Sequence, residues 1–150
     1  MLVDSDLERR TLEQILSVRA WLRVRKAIRL SIEKPLFDLA AMPGPGEDPA
    51  PPCIPDFMVR AEGIGPLGRS LVIVETMGFE DEAYRERKHR GHAAMQAVCG
   101  GAPLVEHDFH MPADRPQEWR DQRFWRDLRW AVTGPEAEAG ARPRPGAARR

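Results

Sequence analysis

The chain has 150 residues, 42% of them hydrophobic, a length suited to one domain with a single core. No apolar run approaches the ~18 residues of a membrane-spanning helix, and the opening MLVDSDLERR lacks the apolar stretch of a secretory leader. A net charge of zero excludes a global basic field, and Cys53 and Cys99 are too isolated for a disulfide framework or thiolate metal site, predicting packing thiols in a reducing cytoplasm.

Residues 5–25 predict a helix. Asp4, Ser5 or Asp6 can accept hydrogen bonds from its first N–H groups, and Leu12, Ile15, Leu16, Val18 and Leu22 recur at helical spacing. From Ala27 the period becomes two: Ile28, Leu30 and Ile32 alternate with Arg29, Ser31 and Glu33, the pattern of a half-buried strand. Pro35 cannot donate to a ladder, so LFDLA at 36–40 is expected to continue the strand only after a bulge. The proline and glycine of MPGPGEDPAPP at 42–52 predict a loop.

IPDFMVRA at 54–61 and RSLVIVETM at 69–77 predict two short strands, and the glycines of EGIGPLG between them permit a hairpin. Residues 81–98 predict a helix that begins with acids, favourable at the positive end of its dipole. PLVEHDFH at 103–110 predicts a strand and 115–132 an amphipathic helix. From Thr133 onward large apolar residues are missing, so the reading is one domain over 1–132 and a disordered tail over 133–150. The order is helix, strand, strand, strand, helix, strand, helix. A helix crossing between the third and fourth strands implies an α/β layer with a small mixed sheet.

Two acids stand out against that order. Asp56 begins one strand and Glu75 lies near the end of its hairpin partner, so antiparallel pairing brings both carboxylates to one edge of the sheet. Hard cations such as Mg²⁺ or Mn²⁺ take oxygen ligands, often one or two carboxylates with water and a phosphate oxygen. Each acid alone has a plainer reading: Asp after Pro commonly starts a strand or turn, and a Glu at a strand end is commonly exposed.

The element order, IPDF and LVIVE together resemble the PD-(D/E)XK nuclease superfamily, of restriction-endonuclease-like fold, over roughly residues 5–110. The resemblance implies a metal-dependent nuclease acting on DNA, with Asp56 and Glu75 as ligands of Mg²⁺ or Mn²⁺. The superfamily usually has Lys two residues after the Glu, to polarise water and neutralise developing charge. Met77 occupies that position here and can do neither. Some members relocate the lysine. Lys88 is the first candidate, because its spacing from Tyr84 and Met95 puts it on the sheet-facing side of the crossover helix. Lys34 is the second, and its neighbour Glu33 resembles the extra acid that some members place near the site. The segments IEKPLF, PDF and VETMG also resemble uncharacterised bacterial, often plasmid-borne, proteins, a similarity that implies no activity.

Other patterns have ordinary explanations. VEHDFH puts Glu106, Asp108 and His110 on one strand face, three candidate transition-metal ligands, but a solvated edge strand has the same alternation. His89 and His92 have a zinc-compatible spacing without further ligands, and read as surface histidines. The last helix interleaves Arg120 and Arg123 with Trp119, Trp125 and Trp130, which suits phosphate contact and base stacking. Its stripe of Phe124, Leu128, Ala131 and Val132 reads more simply as a helix closing the core. No phosphate-binding glycine loop precedes a helix, and no Ser or Cys stands in a strand-to-helix elbow.

Charge is unevenly distributed. Residues 1–34 carry a net +3, residues 35–83 a net −7 and residues 115–150 a net +4, so basic ends flank an acidic centre. The expected protein is a cytoplasmic, DNA-binding phosphodiester hydrolase without membrane segment or organic cofactor, a homodimer being left open. The alternative is a catalytically inactive nuclease-fold module that binds DNA or protein.

Overall fold

The computed structural model describes residues 5–36, 38–39, 45–46, 53–65 and 68–134. Most of the expected loop at 42–52 and the expected disordered tail beyond Gly134 lie outside these residues.

Helix α1 (Asp6–Lys26) starts where Ser5 accepts a hydrogen bond from the Glu8 N–H and ends at Ala27 in the left-handed region. Acids in its first turn and bases in its last complement the helix dipole. Three strands follow: β1 (Arg29–Glu33), β2 (Phe57–Glu62) and β3 (Leu71–Met77). Helix α2 (Glu82–Val98), strand β4 (Leu104–Asp108) and helix α3 (Gln117–Thr133) complete the domain. The sheet order is β1-β2-β3-β4, with β1, β2 and β3 antiparallel and β3 parallel to β4. A parallel neighbour cannot be reached by a tight turn, and α2 makes the crossover.

The period-two alternation sorts the strands into two faces. Phe57, Val59, Val72, Val74 and Val105 pack with Ile15, Val18 and Leu22 of α1 and Phe124, Leu128 and Val132 of α3. Ile73 faces the other way, with Met95 of α2, Cys53 and Ala102. Glu75 and Met77 share the Ile73 side of β3, so this alternation aims Glu75 at the crossover helix. Each fully buried large apolar side chain contributes roughly 1.5–3 kcal/mol. The hairpin is tied down where Arg69 N–H donates to Val132 O at 3.1 Å, and a Cβ on Gly68 would stand 2.6 Å from that same carbonyl. Only glycine allows so close an approach.

Several expectations are corrected. The strand before Pro35 stops at Glu33, and no described residue of LFDLA continues it. Leu16 is 42% exposed, and the inward stripe of α1 is Thr11, Ile15, Val18 and Leu22. The apolar positions of α1 form a wider arc than the sheet and α3 cover, which leaves Leu16 at its margin. β4 is not a solvated edge on its acidic face: Glu106 and Asp108 are half-buried, with partners on α2. His92 is not a surface histidine; it is buried.

Candidate active site

Asp56 precedes β2 by one residue, and the register pairing Phe57 with Val74 carries it to the level of Glu75. The two acids hold each other through the backbone. Asp56 N–H donates to Glu75 Oε1 at 3.0 Å, and Thr76 N–H donates to Asp56 Oδ2 at 2.8 Å. These bonds orient both carboxylates without using up their charge.

Lys88 approaches from α2. Its ammonium donates to Glu75 Oε2 at 2.7 Å and to Asp56 Oδ2 at 3.2 Å. Glu75 is fully buried, while the Asp56 and Lys88 side chains keep limited solvent contact. Burial, then the neighbouring Asp56 charge, pushes the Glu75 carboxyl above the ordinary glutamate range, with Lys88 pulling back. Burial also works against the Lys88 ammonium, but the charges of Glu75 and Asp56 outweigh it and hold its pKa above the usual lysine value. Two carboxylates against one ammonium leave the cluster short of positive charge, an environment that favours another cation.

Met77, at the position the resemblance assigns to lysine, is fully buried. The ammonium on the carboxylates comes from a different element. Of the other candidates, Glu33 lies opposite Met58, two residues from Asp56, and accepts from Arg60 at 3.0 Å. Lys34 is paired with Glu8 on α1 and lies 5.8 Å from the centre of the Phe57 ring.

A buried polar chain runs beneath the site on the opposite face of the sheet. Thr76 Oγ1 donates to Thr11 Oγ1 at 3.1 Å, Thr11 Oγ1 meets His107 Nδ1 at 2.9 Å, and His107 Nε2 meets Asp121 Oδ1 at 2.9 Å. Asp121 also accepts from Arg10 at 2.7 Å and Gln117 at 2.8 Å. Burial lowers the His107 pKa, so the ring is neutral and its two nitrogens divide between donor and acceptor roles. Thr, His and Asp in this sequence of contacts resemble an activated nucleophile, but Thr11 and His107 are fully buried and no substrate reaches them. The chain is structural, locking β3, β4, α1 and α3 around the end of β3. The sequence reading missed it; its one signal was polar residues at inward positions of apolar patterns.

Two of the α3 arginines stack on tryptophans, while Arg120 donates to the Phe109, His110 and Pro112 carbonyls and Trp130 stays about half exposed. Arg123 lies over Trp119 at 5.7 Å, and Arg129 lies over Trp125 and Trp21 at 5.2 and 5.0 Å. Arg69, Arg123 and Glu106 line a cleft of about 880 Å³ beside β4 and α3. No helix among the described residues is long and apolar enough to cross a membrane.

Residues 4–131 match the model of a family described as the restriction endonuclease-like C-terminal domain. The chain is also 42% identical, over 98 residues, to an Escherichia coli protein described as an uncharacterized protein in the cib 5′ region. That match covers 64% of this chain and 43% of the relative, so less than half of the relative's length is represented. No solved structure matches the chain.

Proposed function

The chain belongs to the restriction endonuclease-like C-terminal domain family, and from that membership we propose that it is a DNA-binding, Mg²⁺- or Mn²⁺-dependent phosphodiester hydrolase. The observation that carries this reading is the Lys88 ammonium bonded to both Asp56 and Glu75. The trio supplies two oxygen donors and one cationic proton donor, the groups that metal-assisted phosphodiester hydrolysis requires.

The donor set fits a hard divalent cation. Both ligands are carboxylates, the cluster already holds one cation, and among the described residues no hydrogen bond reaches Asp56 Oδ1. Asp56 and Glu75 would hold the ion, which would supply Lewis acidity toward a phosphate oxygen and acidify a bound water. The chain's own groups do the rest. The Asp56 and Thr76 N–H groups keep both carboxylates oriented, and Lys88 donates to the attacking water and offsets charge building on the phosphate. Glu33 and Lys34, at the end of the neighbouring strand, are assigned no chemical step. Arg69 and Arg123 in the cleft beside β4 suit contact with phosphates of the DNA backbone.

A second reading is supported by Met77: a nuclease fold that binds DNA or protein without cutting. Incubating the purified chain with supercoiled plasmid DNA and Mg²⁺ or Mn²⁺ separates the two. The hydrolase nicks or linearises the plasmid, and Lys88→Ala and Asp56→Asn abolish this. A wild-type chain that binds the metal and leaves DNA intact on single- and double-stranded substrates retires the hydrolase in favour of the binding module.

A further inference from the structure

Beside the carboxylate–lysine trio, helix α2 and strand β4 bring together three side chains that take no part in the proposed hydrolysis. His89 and His92 lie one helical turn apart on α2, and Glu106 projects from β4 between them. Glu106 Oε1 is 3.1 Å from His89 Nε2 and 3.1 Å from His92 Nδ1. One donor atom from each residue lies within 4.8 Å of both others. We propose that His89, His92 and Glu106 form a second cation site, selective for Zn²⁺ or a similar borderline transition metal, separate from the oxygen-only site at Asp56 and Glu75.

The donor chemistry and spacing point to this metal class. Two imidazoles and a carboxylate suit zinc, cobalt and nickel, whereas magnesium takes oxygen. Zinc binds such donors at ~2.0–2.2 Å, which places tetrahedral ligand atoms ~3.3 Å apart. The two contacts to Glu106 are within a few tenths of an ångström of that, so the ion requires little more than closing the gap between the two rings. Those rings meet edge to face with centroids 5.3 Å apart, and His89, half-exposed, is the ring free to adjust. His89 is half-exposed, giving the ion a route from solvent, while a tetrahedral fourth position is left for water.

A second observation is independent of this spacing. His92 is buried, yet its Nε2 has no hydrogen-bond partner and lies 3.9 Å from Glu75 Oε2. A buried ring nitrogen without a partner is costly. When Nδ1 serves as a ligand, the proton must reside on Nε2, where it faces a carboxylate. Carboxylate behind histidine behind metal is the usual supporting arrangement of zinc sites. A small turn of the His92 ring that closes this 3.9 Å gap would give the orphaned nitrogen a partner in the metal-bound form, and His92 places the two sites back to back.

The test is Zn²⁺ alone, titrated calorimetrically into chelator-stripped full chain, with Co²⁺ absorption as a readout of ligand geometry. The expected result is a single Zn²⁺ bound by the wild type and equally by Asp56→Asn. Binding should be weakened at least about tenfold in His89→Ala and in Glu106→Gln, with loss of the Co²⁺ tetrahedral absorption bands. Because His89 is half-exposed, its replacement should leave the fold intact, and matching circular dichroism checks that. The proposal is overturned if the wild type binds no Zn²⁺, if His89→Ala binds it unchanged, or if Asp56→Asn abolishes binding. The control also separates this site from the hydrolase: failure of DNA cleavage leaves the Zn²⁺ result standing, and the reverse.

Discussion

Lys88 Nζ stands 2.7 Å from Glu75 Oε2, joining a helix residue to a fully buried strand residue thirteen positions earlier. The contact makes burial of Glu75 tolerable. A carboxylate withdrawn from water beside a second carboxylate is costly unless a cation and hydrogen bonds compensate. α2 provides the cation and the Asp56 backbone one of the bonds. The same contact supplies the ammonium that Met77 cannot, from a helix and not from the next residues of the strand. Several measurable consequences depend on it.

Removing the ammonium should destabilise the protein. Lys88→Ala leaves Glu75 and Asp56 facing each other uncompensated, and breaking such a partly buried pair costs roughly 3 kcal/mol. Urea unfolding at neutral pH without divalent metal should show this loss, and combining Lys88→Ala with Glu75→Gln should recover much of it. A cost within the scatter of surface substitutions would contradict the geometry.

Mg²⁺ or Mn²⁺ should stabilise the wild type, by about 2.7 kcal/mol at a hundred times the dissociation constant. Asp56→Asn and Glu75→Gln should lose this gain, and Glu75→Gln should raise the melting temperature of the metal-free protein by removing a buried charge. Melting curves with chelator and with each metal check both points. Identical curves for all variants would end the reading of this site as a metal centre.

The polar chain beneath the site predicts an acid-sensitive contribution to stability. Burial opposes ionisation of Asp121, but bonds from Arg10, Gln117 and His107 outweigh it and hold its pKa below the ordinary aspartate value. A carboxylate depressed in the folded state stabilises above its unfolded pKa, ~3.9. That contribution disappears as the pH falls through the folded-state value. Wild type should therefore be more stable than Asp121→Asn at pH 7, with the gap narrowing progressively below about pH 4. Denaturant midpoints measured across that range would reveal a constant gap if the charge were irrelevant.

Gly68 offers a test of the packing between the β2–β3 hairpin and the end of α3. Alanine there would bring Cβ within 2.6 Å of Val132 O and 2.8 Å of Ile64 Cβ, so the backbone must shift. The expected cost is roughly 1–3 kcal/mol. Gly65→Ala is the control in the same loop, since a Cβ there meets nothing within 4 Å. Equal melting temperatures for the two variants would contradict the close approach.

The element order, the mixed sheet and the meeting of Asp56 with Glu75 were all legible in the linear chain. Each follows from local rules: a period of two or 3.6, a capping Ser5, a glycine-containing hairpin, and a helix long enough to make the crossover that parallel neighbours need. Antiparallel pairing alone brings the start of one strand to the end of the next. Lys88 was legible only as a residue on the inward side of α2. Its bonds to both acids depend on how that helix is rotated and how far it slides along the sheet, which side-chain packing decides. The same holds for Leu16, left at the margin because α3 and the sheet cover a narrower arc than the apolar residues of α1 occupy. Thr11 and His107 are 96 residues apart, and Glu106 lies fourteen beyond His92 on another element. Periodicity assigns each of them to a face but carries no information about which residue will stand opposite. That pairing exists only once the sheet has closed and both helical layers have docked on it.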